Sequence, residues 1–327
     1  MKDVASRAGV ALKTVSRVVN GEPGVTPATA SKVLDAIDDL GFRRNESARL
    51  LRTGQTATLG FIAEDSADPD QAALYRGLEE VAAERGFLVY SGSTDRDPAR
   101  EERLALALCA RRVDGMVIVP APGDHRYLLA EVKAGVAAVF ALRPPNALSD
   151  PALGDTPLGD AVVIDERGGA KAAVAHLIAY GHRRIGFVDG DLGGYRSRRL
   201  LFGYTQAMAA AGLPVDETWR TLTPGKLASA RVTAVLCGSR AHTARALHVL
   251  AATGSPRRMA VIGFGDLELA DLVSPGITVV SYDPVRIGRT AGELLVRRLA
   301  GDDAPPRLVE LPTRLIPRGS AEFRPAD

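Results

Sequence analysis

Residues 11–29 read ALKTVSRVVNGEPGVTPAT, and that stretch places two helices and the turn between them. Val15, Val18 and Val19 stand at i, i+3 and i+4, the spacing of one apolar helix face. A helix from Leu12 to Asn20 therefore turns Leu12, Lys13, Ser16, Arg17 and Asn20 outward, and Gly21 ends it. Downstream, Thr26 reads as an N-cap, Pro27 as the first helical residue, Val33, Ile37 and Leu40 as one face and Gly41 as the stop. Upstream, Asp3 to Ala8 forms a short helix closed by Gly9. Three helices in forty residues, the first two joined by a tight turn, match a helix-turn-helix with a third helix as its apolar lid.

The outward set of the second helix suits a major groove. Arg can chelate guanine O6 and N7, Ser and Asn can hold phosphates or adenine edges, and Leu can pack on a thymine methyl. An ordinary amphipathic surface helix has the same periodicity, so this helix alone leaves both readings open. Charge points the same way: residues 1–54 hold nine Lys/Arg against six acids, and the remaining chain holds 32 against 33. The basic excess sits at one end, as expected for an acidic polymer as partner.

Beyond Gly41 the run FRRNESARLLRTGQTAT contains Asn45 as cap of a helix of about seven residues, too short to persist alone. Gly54 to Thr58 reads as linker. From Thr58 on, apolar runs alternate with helical stretches, the pattern of an α/β core with buried parallel sheets. Candidate strands are 59–63, 87–90, 115–119, 137–142, 161–164, 185–188, 234–237, 260–264 and 278–281. Candidate helices fall between them at 71–85, 99–111, 169–180, 199–211, 242–252 and 285–299. The Pro/Gly-rich segment 143–159 reads as the crossing between two lobes.

Length and composition exclude other classes. The 327 residues, 46% hydrophobic, supply more than one packed unit. The first residues, MKDVASRAGV, lack the apolar core of a signal peptide, which predicts a cytoplasmic protein. Cys109 and Cys237 each lie in an apolar run, which predicts buried thiols and neither a disulfide nor a zinc site.

In their order and spacing, AGVALKTVSRVVNGEPGVTPAT, LGF, NESARLLRTG, RRVDGMVIVP, HLIAYGHRRIGFV and VIGFGD resemble the lactose/galactose repressor family of bacterial transcription regulators, from Lys2 to about Arg318. The resemblance implies a helix-turn-helix head over 1–44, a hinge helix and linker over 45–57, and a two-lobed core like periplasmic binding proteins over 58–327. The lobes would be 58–159 with 284–305, and 160–283 with 306–320. It further implies a homodimer on a palindromic double-stranded operator, with no cofactor, metal or membrane partner. Leu12, Lys13 and Arg17 fall where such proteins read base edges. Thr14, Ser16, Asn20, Thr26 and Thr29 fall where they hold phosphates. Asn45, Ala48 and Leu51 fall where the hinge enters the minor groove, Leu51 as the wedge that kinks the site.

The chain departs from the family in places. The first helix lacks the usual capping residues before KDVA, Ala11 replaces a Ser, and Arg44 replaces a Pro before Asn45. The effector cleft departs further: Leu142, Leu200, Gly238 with Ser239, and Gly265 stand where sugar-binding members carry Asp, Arg, Asn-Asp and Asp. None of these makes a charge-assisted bond to a hydroxyl. Asp68-Pro69-Asp70-Gln71 replaces the usual segment after the first strand, and the chain between Trp219 and Thr233 is short for the helix found there. Control would then come from a small molecule bound through Asp65, Asp70, Arg143, Tyr195, Arg199 or Tyr282, or from a protein co-regulator or abundance.

Gly168-Gly169 lacks the rest of a phosphate loop and reads as a helix start. His176 and His182, six apart, do not share a helical face. No catalytic triad or carboxylate pair stands out, so the chain is not read as an enzyme. A solute-binding protein with a vestigial head is the rival, weakened by the intact TVSRVVN.

Overall fold

The computed structural model describes residues 1–42, 56–145, 158–189, 193–220, 222–252 and 259–325. The chain divides into two compact units, Met1–Thr56 and Ala57–Asp327.

In the first unit, α1 (Lys2–Ala8), α2 (Leu12–Asn20) and α3 (Pro27–Asp39) close on Val4, Ala5, Val15, Val33 and Ala36. Gly9 and Gly21 end α1 and α2 in the left-handed region, φ 65° at both, a conformation that costs a Cβ-bearing residue energy. Thr26 caps α3, its hydroxyl oxygen accepting from Thr29 N at 3.3 Å, with Pro27 in the first turn. Met1 and Ala11 offer α1 and α2 no side-chain cap. The hinge residues Asn45, Ala48 and Leu51 lie outside the described residues.

The second unit is built on two sheets. Strands β1 (Thr58–Ala63), β2 (Leu88–Ser93), β3 (Gly115–Ile118), β4 (Ala137–Ala141), β5 (Asp160–Ile164) and β10 (Leu308–Leu311) form one, in the order β10-β5-β4-β3-β1-β2. The other is β11-β9-β8-β7-β6, from β6 (Ile185–Val188), β7 (Ala234–Cys237), β8 (Ala260–Phe264), β9 (Thr278–Ser281) and β11 (Arg314–Ile316). All these pairings are parallel except that of β11 with β9. The helices are α4 (Pro69–Glu84), α5 (Pro98–Ala110), α6 (Leu129–Lys133), α7 (Glu166–Ala179), α8 (Tyr195–Ala210), α9 (Glu217–Arg220), α10 (Arg240–Ala252) and α11 (Pro284–Leu299). Burial of β1, β3, β5, β6, β7 and β8 along their whole length explains why they read as unbroken apolar runs.

The lobe boundaries differ from the sequence reading. The strands on either side of 143–159 belong to one sheet, since β5 pairs in parallel with β4, so the change of lobe falls after β5. Asp160 fixes β5 there: it takes both arms of Arg298 at 2.7 and 2.8 Å and the backbone N–H of Arg307 at 2.7 Å, so a buried carboxylate ties β5 to α11 and to the approach to β10. β10 joins the same sheet, so the first lobe extends to 164 and again to 311. The chain passes between sheets after β5, after β9 and between β10 and β11. Caps sit at these passages: Asp165 accepts from Gly168 N at 2.7 Å, Asp283 from Arg286 N at 2.9 Å, and Thr313 Oγ1 donates to Asp165 O at 3.1 Å.

β10 and β11 were not expected. They are four and three residues long, carry the exposed Leu308 and Arg314, and flank Pro312, so no apolar run marks them. In the short segment after Trp219, a 3-10 helix, Pro224–Ser229, puts Leu227 into the core beside β7. Gly168 and Gly169 lie in the first turns of α7. His176 faces Glu322 at 2.5 Å, while His182 meets Thr233 Oγ1 and Phe323 O.

Helices α4 and α11 touch backbone to backbone. A Cβ at Gly288 would lie 1.9 Å from Leu74 O, and one at Gly77 2.1 Å from Val285 O, so glycine on both helices sets their separation.

Candidate functional site

Two sites emerge, one in each unit. The first is the face of α2. Val15 is fully buried and Val18 and Val19 pack beside it, which leaves Leu12 47% exposed, Lys13 exposed, and Thr14, Ser16 and Arg17 half-exposed. Asn20 is the last residue of the helix. Thr26 and Thr29 stand one turn apart with their hydroxyls 2.9 Å from each other. One hydroxyl proton is used in that contact and the other is left to donate to a ligand oxygen. The face is thus a short row of donors and one apolar side chain on a helix held from behind.

The second site lies at the carboxyl ends of the strands, where open α/β sheets bind ligands. A cavity of about 290 Å³ is lined by Glu64, Arg96, Leu142 and Arg143 from the first lobe, and by Asp189, Gly194–Ser197, Gly238, Ser239 and His242 from the second. Glu64 Oε1 lies 2.5 Å from Arg143 Nη2 and 3.3 Å from Arg96 Nε. Ser239 Oγ stands 2.8 Å from His242 Nδ1, and Asp189 Oδ1 3.5 Å from it. Burial lowers the pKa of His242, so it is neutral at pH 7. At the edge of the cavity Asp70 of α4 accepts from Arg240 at 2.8 Å and from Tyr282 Oη at 2.7 Å, a contact between lobes.

Of the cleft residues expected from sequence, Arg143 and Tyr195 line the cavity. Asp70 and Tyr282 bond to each other beside it. Asp65 and Arg199 are elsewhere. Asp65 is exposed and accepts from Ala67 N at 2.8 Å, closing its own turn. Arg199 donates to Glu166 at 2.9 Å and also contacts Glu310, joining α7 to β10. Leu142 lines the cavity with φ 67°, and Gly265, φ 87°, backs onto Arg240.

Leu200 is fully buried in the core, not in the cleft. The arginine that α8 brings to the cleft is Arg196, one turn earlier. Leu200, Gly203, Tyr204 and Ala207 form the buried stripe of that helix, and counting back four from Leu200 lands on Arg196, a signal present in the sequence. Glu64, Arg96, Asp189 and His242 carry no such signal, because each follows a different strand. The four family positions carry no charge here, and the charge in the lining comes from other positions, Arg143 among those expected.

Residues 1–45 match the model for bacterial regulatory proteins of the lacI family. Residues 56–225 match periplasmic binding proteins and the sugar-binding domain of that family, and 174–321 a periplasmic binding protein-like domain. The transcriptional regulator CelR of Thermobifida fusca is 33% identical over 97% of this chain and 96% of its own. The ribose operon repressor of Escherichia coli K12 is 31% identical over 98% and 99%. A solved complex of CelR with cellobiose, 31% identical, superposes with a TM-score of 0.70 over 98% of both chains. The lac repressor dimer bound to operator, 22% identical over 98% of both chains, shares the fold at a TM-score of 0.81. With both halves matched and near-complete coverage of relatives above 30% identity, the chain belongs to the lacI family of bacterial regulatory proteins and is a DNA-binding transcriptional regulator, not an enzyme.

Proposed function

We propose that the protein is a homodimeric repressor that holds a palindromic operator through α2 and releases or grips it according to a small effector in the cavity between the two sheets. The observation that carries this reading is the face of α2, with donors outward and Val15 locked behind them. Leu12, Lys13 and Arg17 read base edges, Arg17 by two parallel bonds to guanine O6 and N7. Thr14, Ser16, Asn20, Thr26 and Thr29 hold phosphates and fix the register. Two heads related by a dimer axis read half-sites about one helical turn apart. The hinge roles of Asn45, Ala48 and Leu51 belong to the same reading by resemblance.

Control follows from the cleft. Its lining comes from both lobes, so a ligand that contacts both shifts the balance between lobe arrangements by its differential affinity for them. Repression and a sugar-like effector are supported by relatives that include a ribose operon repressor and a regulator solved with cellobiose. Arg17→Ala should weaken specific operator binding by about 1–3 kcal/mol and leave the helix intact. Fluorescence anisotropy on the operator, with circular dichroism as the folding control, measures it; unchanged specific affinity removes Arg17 from the reading set.

A further inference from the structure

The cavity at the strand ends holds more guanidinium than carboxylate. Arg96, Arg143 and Arg196 line it against Glu64 and Asp189. Two of those cations, Arg143 and Arg96, converge on the single Oε1 of Glu64. The lining alone sets three guanidiniums against two carboxylates, and Glu166 and Asp70, outside the lining, also attract Arg196.

Arg196 is held in an unusual state. Its Nε and Nη2 are closed off from solvent and have no hydrogen-bond partner among the described residues. The guanidinium is held over the rings of Phe264 and Tyr282, at 5.1 and 5.8 Å, so its orientation is set by aromatic faces and not by an acceptor. In a guanidinium, Nε–H and the nearer Nη2–H point the same way, and that edge chelates a planar carboxylate. Arg143 Nε is a further buried donor without a partner among the described residues. Unpaired buried donors on charged groups are costly and rare, and the nearby carboxylates, Glu166 among them, attract Arg196 through space without bonding to its Nε or Nη2. Helix α8 begins here under Gly194, which makes no side-chain cap, so its positive end and its first turn border the same space.

The remaining lining is suited to hydroxyls: Asp189 as acceptor, with Ser239 and His242 as donor or acceptor. A volume of about 290 Å³ admits a ligand of monosaccharide size. We propose that the cleft ligand is a small hydroxylated carboxylate, a sugar acid, whose carboxylate pairs with the guanidinium of Arg196, with Arg143 as second cation. This rests on the reading of the cleft as the effector site.

The test is thermal melting of the full chain with millimolar D-glucuronate, D-galacturonate or D-gluconate, against D-glucose, D-galactose and inorganic phosphate, at ionic strength matched with sodium chloride. At least one acid should raise the melting temperature by several degrees while the neutral sugars do not. Arg196→Gln, checked for folding by circular dichroism, should weaken that acid about thirty-fold or more. Silence from all three acids overturns the proposal, as does stabilisation by phosphate alone, equal stabilisation by the neutral sugars, or undiminished acid binding by Arg196→Gln. Operator anisotropy separates the two readings. An acid that stabilises the chain but leaves operator binding unchanged keeps the anion site and removes the effector role. Neutral sugars that alter operator binding while the acids are silent do the reverse.

Discussion

The face of α2 and the cavity between the sheets both offer arginine to a partner, yet they are built on opposite plans. On α2 the functional side chains are neighbours in sequence, point outward from one helix, and are held by a core as small as Val4, Ala5, Val15, Val33 and Ala36. In the cavity the lining spans Glu64 to His242 and is assembled by two sheets, with Arg196 positioned over Phe264 and Tyr282. The first site rests on a core of five small buried residues, which supplies little stabilisation by burial. The second is backed by a large core and can hold a charge that lacks a hydrogen-bonded partner. A recognition face that must meet a solvated polymer needs no burial, whereas a site that must select a small ligand has to remove both from water.

The sharpest way to break the contrast is to spoil the head core alone. Val33→Asp buries a charge among the four other buried residues of the head core and should cost several kcal/mol, beyond what so small a core supplies. Operator binding should vanish while the main calorimetric transition of the second unit survives; loss of both transitions together would show that the units do not differ in reserve.

A smaller effect is expected at Glu166, fully buried in the first turn of α7. Burial raises its pKa from 4.5 to about 7, against the attraction of Arg196 and Arg199. The folded chain thus keeps a proton that the unfolded chain loses in this window, so stability falls as pH rises from 4.5 to 7. The loss is roughly 3 kcal/mol at full ionisation. Glu166→Gln should flatten that slope; equal slopes in urea melts across the window would show that the large core tolerates the ionised carboxylate after all.

Gly288→Ala probes the contact between α4 and α11, where a methyl would meet Leu74 O at 1.9 Å. Overpacking of this kind costs about 1–3 kcal/mol, read as a lower melting temperature. An unchanged temperature would mean that the helices can part without loss. The smallest effect belongs to the surface of the head. Arg7 and Asp39 pair at 2.7 Å with more than half of each side chain exposed, so Arg7→Ala should change stability by no more than about 1 kcal/mol. A larger loss in chemical denaturation would mean that the small core depends on its surface ions.

Much of this was legible in the sequence. The helix Leu12 to Asn20 was read with its bounds as they stand, because valine periodicity and Gly21 act within one or two turns. Strands β6, β7, β8 and β9 were likewise marked by their own apolar runs, each buried on both faces. The misplacement of β5 and β10 has a different origin. Their residues are compatible with either sheet, and the choice is made by Asp160, which meets Arg298 and the Arg307 backbone about 140 residues away in the chain.

The sequence by itself determined the head, its outward donors and the alternation of strand and helix, since each rests on spacings shorter than a helical turn or a strand. Only the tertiary structure decided which sheet takes β5 and β10, that Arg199 belongs to the passage between lobes, and that Glu64 serves two arginines. Those outcomes depend on which distant groups share a low-dielectric space. Burial and pairing of charge are properties of that space, and no local pattern of residues encodes them.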